Sequence, residues 1–242
     1  MKQLFIILFG LSPILIFGQK VEGVVQYEQT MNMHRQFTGN EEMKQYIPEF
    51  RTSKMELLVQ GQSLLYRAGE EDEEETHESG DGNIRMSFRR AESIVYKDLK
   101  AKKQLTSTEF MGRQFLISAD MEGTAWKMTA ESKSILGYPC TKAVYQDTAD
   151  VIEAWFTLSI PVGAGPASYD GLPGLILEVD KNSGETVFKA TKIDLKPLEK
   201  GAIEKPSKGK KVTKEEYDAI VAEKMKEMGA TGGGGRMMII RN

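Results

Sequence analysis

The stretch Ser159-Ile160-Pro161-Val162-Gly163-Ala164-Gly165-Pro166-Ala167-Ser168-Tyr169-Asp170-Gly171-Leu172-Pro173-Gly174-Leu175-Ile176-Leu177-Glu178-Val179 decides how the chain is read. It is punctuated by glycine and proline and runs straight into an apolar strand at Leu175-Ile176-Leu177. Within it, Leu172-Pro173-Gly174-Leu175 suits a type II turn, in which proline fixes φ at the second position and glycine supplies the positive φ at the third. A segment so poor in side chains either carries backbone up to a ligand or turns a structural corner. The corner is the commoner use of glycine and proline and is the expectation here.

Short β-rich runs bounded by turn residues lie on both sides of it. Residues 21–27, 55–59, 63–67, 93–96, 104–109, 115–119, 126–130, 142–146, 151–157, 175–179 and 186–192 read as strands. The pairs 55–59/63–67 and 93–96/104–109 read as hairpins, and 180–184 as a five-residue hairpin loop. The expected fold is mainly β (α+β): a single curved antiparallel sheet, half-barrel or bowl-like, with one amphipathic C-terminal helix. That helix, 213–228, opens with Thr213 and Glu216 as a capping box and sets Tyr217, Ile220, Val221 and Met225 on one stripe. A shorter helical candidate at 40–46 stops before Pro48.

Residues 1–18, with Lys2 followed by an apolar stretch ending in Gly18, read as a signal peptide. The apolar run is too short for an anchor, which needs about 20 apolar residues. The only cysteine, Cys140, is far from the expected cleavage point, which excludes a lipid-anchored terminus there. The expectation is an exported chain, periplasmic or secreted, soluble and without an integral span once the signal is removed. Residues 19–200 form the β-rich domain, and 201–242 carry a basic linker, the helix and a Gly/Met-rich tail. Glu70 to Glu75 are six consecutive acidic residues that favour a solvated loop over an ordered Ca²⁺ site.

Of 242 residues, 40% are hydrophobic and 28% charged, an ordinary globular composition. A net charge of −3 gives no general electrostatic case for nucleic acid. One cysteine and two histidines remove disulfide frameworks and most structural zinc sites. Cys140, with Lys142 two residues away, reads as a buried structural thiol because only two histidines exist to act as its base. Ser207 and Lys210 match a serine–lysine pair only by accident, inside a basic linker. Gly232 to Gly235 lack the lysine that a phosphate loop requires.

Gly171-Leu172-Pro173-Gly174-Leu175-Ile176 resembles the namesake hexapeptide of the GLPGLI family of exported proteins, found mainly in Bacteroidota-type bacteria. Trp126, the stretch Ile135-Leu136-Gly137-Tyr138-Pro139-Cys140-Thr141-Lys142-Ala143, Ala154-Trp155-Phe156, Ile160-Pro161 and Gly165-Pro166 extend the resemblance over about residues 120–180. That family is similar in architecture to the bowl-shaped amino-terminal domain of some bacterial peptide N-glycosidases, and more distantly to outer-membrane lipoprotein carriers. The resemblance implies a curved antiparallel sheet and brings no catalytic residues.

The functional expectation is therefore a binding or scaffolding protein of the cell envelope, without catalysis or a cofactor, for an apolar, peptide or glycan ligand or an envelope protein partner. Trp126, Tyr138 and Trp155 are expected to line the concave face, with Tyr169, Asp170, Gly171, Leu172, Pro173 and Gly174 at its rim. The same aromatics, with Phe156, suit equally a core packed against the C-terminal helix. Two alternatives stand beside this. One is a periplasmic copper-handling protein, in which Met31, Met33 and His34 supply soft sulfur and imidazole ligands and Met225, Met228, Met237 and Met238 add more. The other is a hydrolase accessory domain.

Overall fold

Along β1 (Glu22–Asn32), Val25, Tyr27 and Gln29 are buried while Gln26 and Glu28 are exposed, the period of two of a strand with one face on a core. The computed structural model describes residues 21–36, 41–69, 76–78, 85–87 and 93–231. The signal segment 1–18, the acidic run 70–75, Asp81 and the tail 232–242 with Met237 and Met238 lie outside the described residues. Two short helices, α1 (Met33–Gln36) and α2 (Glu41–Lys44), follow β1. Next come β2 (Phe50–Gln60), β3 (Ser63–Ala68), a separate hairpin of β4 (Thr76–Glu78) and β5 (Arg85–Ser87), β6 (Ile94–Asp98), β7 (Lys103–Phe110) and β8 (Arg113–Asp120). The rest is β9 (Lys127–Ile135), β10 (Tyr138–Gln146), β11 (Val151–Thr157), β12 (Leu175–Lys181), β13 (Thr186–Asp194), β14 (Lys210–Thr213) and α3 (Lys214–Thr231).

Twelve strands make one open, curved sheet in the order β14-β8-β7-β6-β3-β2-β1-β13-β12-β11-β10-β9. The chain grows by hairpins from β1 outward to β8, then restarts beyond β1's other side. Two turns are two residues long with both φ values positive, Met111-Gly112 and Leu136-Gly137, the backbone twist that matches flanking strands. Register shifts at Gln26/Tyr27, Thr141/Ala143 and Trp155/Phe156 mark bulges, which bend a strand and sharpen its twist. The sheet is mixed because β14 pairs parallel to β8, Lys210 against Phe115 and Val212 against Ile117. Lys210 and Lys211, read from sequence as the end of a connector, thus open an edge strand. The loop expected at 180–184 shifts as well: pairing runs out to Lys181–Thr186, leaving 182–185 as the turn.

Val25, Leu57, Tyr66 and Val95 stand side by side on neighbouring strands and define the inner face. Two structures cover it. The 159–174 loop packs Ile160, Val162, Ala164, Ala167 and Leu172 into the main core. At the β14 end, α3 sets Tyr217 edge-on to Phe115 and Phe110, with ring centroids 5.3 and 6.2 Å apart, above Ile117 and Val212. The expected capping box forms: Thr213 N donates to Glu216 Oε2 at 2.8 Å and Glu216 N donates to Thr213 Oγ1 at 3.2 Å.

Candidate functional site

The 159–174 loop folds back on itself. Gly165 N donates to Tyr169 O, Leu175 N to Ile160 O and Ile176 N to Ala164 O, at 2.9 to 3.0 Å. The expected type II turn is absent. Gly174 does not take a positive φ; Gly171 does, at 87°. What fixes glycine at 174 is space, because a Cβ there would lie 2.0 Å from Thr157 O. At Gly165 a Cβ would meet Ile176 Cβ at 2.6 Å. These glycines let backbone approach the chain's own backbone and core, as a structural corner requires.

Two buried or half-buried donors reach into the loop, and a third reaches the start of β12 that the loop runs into. Tyr27 Oη donates to Ile176 O at 2.7 Å, Trp126 Nε1 to Asp170 O at 2.7 Å, and Lys97 Nζ to Tyr169 O at 2.9 Å. Lys97 is 1% exposed, and its Nζ lies 3.7 Å from Asp170 Oδ2, an ion-pair distance. Burial lowers the Lys97 amine to about 8 against the upward pull of Asp170, and burial raises the Asp170 carboxyl against the pull of Lys97. Both shifts favour the neutral forms, as expected for a charge pair inside a core. Burial also pushes the Tyr169 hydroxyl up to about 12, with the charges of Asp150 and Glu185 adding to it. The Tyr169 ring meets Phe188 edge-on at 5.7 Å.

The aromatics expected to line one concave surface are therefore divided. Trp126, Tyr169, Asp170, Gly171, Leu172 and Gly174 come together in the loop, which fills the inner face, while Pro173 is exposed at its surface. Gly171 lies against residues 123–124, where a Cβ would meet Thr124 N at 3.1 Å. Tyr138 is half-buried beside Ile135 at the start of β10, and Phe156 is buried in the core. Trp155 turns to the opposite, outer face. Reading across β10, β11, β12, β13, β1 and β2, the residues directly opposite one another are Lys142, Trp155, Glu178, Lys189, Glu28 and Lys54. Every one is half-buried or exposed. Lys133 Nζ stands 4.3 Å from the Trp155 ring centroid and 2.7 Å from Glu178 Oε1. Lys142 Nζ is 2.9 Å from Glu153 Oε1, which with Glu131 raises its pKa. The outer face thus offers an indole among charged donors and acceptors.

Elsewhere the expected ligands are occupied or enclosed. β1 ends at Asn32, so Met31 lies one residue inside the strand end while Met33 opens α1 and is 8% exposed. His34 Nε2 lies 3.0 Å from Ile47 O. Cys140 is buried, and burial raises its thiol pKa. Lys97, which holds Tyr169 O and lies beside Asp170, was not singled out from sequence: in the polar run 97–103 it reads as one solvated lysine among several.

Two crystal forms of PNGF-II, in space groups P21 and C2, share this fold. Each superposes with a TM-score of 0.55 at 16% identity over 85% of this chain, and over 34% (P21) or 33% (C2) of its own. The chain accordingly spans about a third of the length of those solved structures. No curated protein matches it. The family described as N-glycanase peptide, N-terminal domain matches residues 83–221, from before β5 into α3 and including both the loop and the Trp155 face, and with more than half of its length matched the chain belongs to that family.

Proposed function

We propose that the chain is an exported, GLPGLI-type binding or scaffolding domain of the cell envelope, without chemistry of its own, that holds a glycan or glycopeptide on its outer face around Trp155. The observation that carries this is the cross-strand row Lys142, Trp155, Glu178 and Lys189 with Lys133 above the ring. An indole suits the apolar face of a sugar ring, and paired charges of both signs suit its hydroxyls. Membership of a family named for the amino-terminal domain of an N-glycanase supports an accessory role toward glycosylated substrates. The inner face supports it by exclusion, since the chain's own loop fills the place where a carrier would hold its ligand.

Trp126 and Trp155 are the only tryptophans, so each reports alone when the other is replaced. In Trp126→Phe, titration with a high-mannose glycopeptide should shift the Trp155 emission and give saturable heat in calorimetry. The Trp155→Ala chain should lose at least tenfold in affinity, about 1.4 kcal/mol. Glycopeptide binding that is unchanged in Trp155→Ala, or no binding in either chain, ends the proposal.

A further inference from the structure

The ring on which the outer-face reading rests is already occupied. Lys133 Nζ lies 4.3 Å from the Trp155 ring centroid, within cation–π range, and 2.7 Å from Glu178 Oε1, so a single ammonium makes both contacts. Trp155 of β11 and Glu178 of β12 stand directly opposite each other, and Lys133 reaches them from β9, across β10. Trp155 is half-buried and packs against the main core, while Glu178 belongs to the outer row, so the ammonium covers the outward side of the indole. A sugar ring stacks on an indole through C–H groups that carry partial positive charge. Sugar and ammonium therefore compete for the same electron-rich surface.

The two lysines beside the ring differ in how firmly they are held. Lys142 Nζ stands 5.9 Å from the centroid, with Glu153 at 2.9 Å and Glu131 at 3.4 Å, and its side chain is only 13% exposed. Lys133 has one carboxylate partner and a side chain 35% exposed. It also extends from β9, the last strand of the sheet, with no strand paired beyond it among the described residues. A flexible four-carbon stem at that edge can rotate outward into water without moving the backbone. Once it does, the ammonium has exchanged the ring and Glu178 for solvent, and the ring is open.

We infer that Lys133 is a latch on the Trp155 site: with Glu178 as its catch it closes the ring, and a glycan binds by displacing it. This rests on the outer-face reading and adds to it the residue that limits affinity. Removing the Lys133 side chain thus tightens binding, the reverse of what losing a direct contact to sugar would do.

The test uses the full chain with Trp126→Phe, in which Trp155 is the single tryptophan. Adding Lys133→Ala should increase the quenching of Trp155 emission by acrylamide. Adding Lys127→Ala, which removes another exposed lysine of β9, should leave the quenching as it was. Titrated with the high-mannose glycopeptide, the Lys133→Ala chain should bind about threefold tighter, the size of one exposed cation–π contact. Should Lys133→Ala not fold, Lys133→Thr, a better strand former, is read instead. Unchanged quenching overturns the inference, and so does glycopeptide binding that is equal or weaker in Lys133→Ala. Absence of glycopeptide binding in every chain ends the outer-face reading instead, and the quenching then decides by itself whether Lys133 covers the ring.

Discussion

The two ends of the inner face are closed by different means. Over the middle strands, an irregular loop with hardly a large polar side chain is seated by Lys97 and Trp126, donating to the main-chain carbonyls of Tyr169 and Asp170, while Tyr27 holds Ile176 O just past the loop. At the β14 end, a regular helix satisfies its own backbone and rests Tyr217 and Ile220 on Phe115, Ile117 and Val212. An irregular segment buried in a core pairs only some of its backbone groups with one another, and each group left unmet costs about 1–3 kcal/mol, so the rest need partners elsewhere. The loop is thereby tied to specific residues on distant strands, while the helix needs only an apolar stripe and a cap.

The largest test of this contrast is Lys97→Met. Removing one member of the buried pair leaves Asp170 uncompensated, and a loss of about 3–5 kcal/mol is expected in urea unfolding. Adding Asp170→Asn should return part of it. A neutral Lys97→Met would mean that the loop is held by apolar burial alone. The pH dependence has a definite sign. The Lys97 amine binds its proton more weakly in the folded chain, at about 8 against 10.5, so in that window the unfolded chain holds more protons and raising the pH stabilises the fold. The gain should vanish in Lys97→Met. The Asp170 carboxyl is raised, so its contribution runs the other way and stability falls as pH rises above 3.8.

Next in size is Gly174→Ala. With a Cβ driven toward Thr157 O, it should cost about 1–3 kcal/mol by overpacking, whereas Gly112→Ala, where a Cβ would meet nothing within 4 Å, should show only the strain of its positive φ. Equal thermal shifts in the two would remove the close-approach account. Smallest is Thr213→Ala at the helix end, about 1 kcal/mol for a lost cap. Hydrogen exchange should then quicken along α3 and leave the amides of Leu175 and Ile176 protected. Loss of protection at both places would show that the two coverings unfold as one unit.

Strands β2, β3, β6, β7, β11, β12 and β13 are legible from alternation and turn residues alone, and the cap of α3 from Thr213 and Glu216. Gly174 was also visible as a special position, for the wrong reason: a turn and a close approach leave the same residue in the sequence. The edge strand β14 was hidden because four residues with three polar side chains carry no period, and its pairing with β8 spans about a hundred residues. Trp155 and Trp126 look alike in sequence, and only register assigns one to the outer row and the other to the loop. Lys97 was least legible of all, because burial of a lysine is set by what folds over it.

Amino-acid order by itself determined the local choices: where most strands lie, which threonine starts the helix, and that residues 159–174 bend without regular structure. Those follow from φ preferences and from side-chain period, which act over a few residues. Tertiary structure alone decided that this bend fills the inner face, that a lysine and an aspartate 73 positions apart share a buried site, and that the half-buried Trp155 ring lies on the outer face. Such outcomes depend on which surfaces exclude water together, and that is a property of the curved sheet and its covering, absent from any short window of the chain.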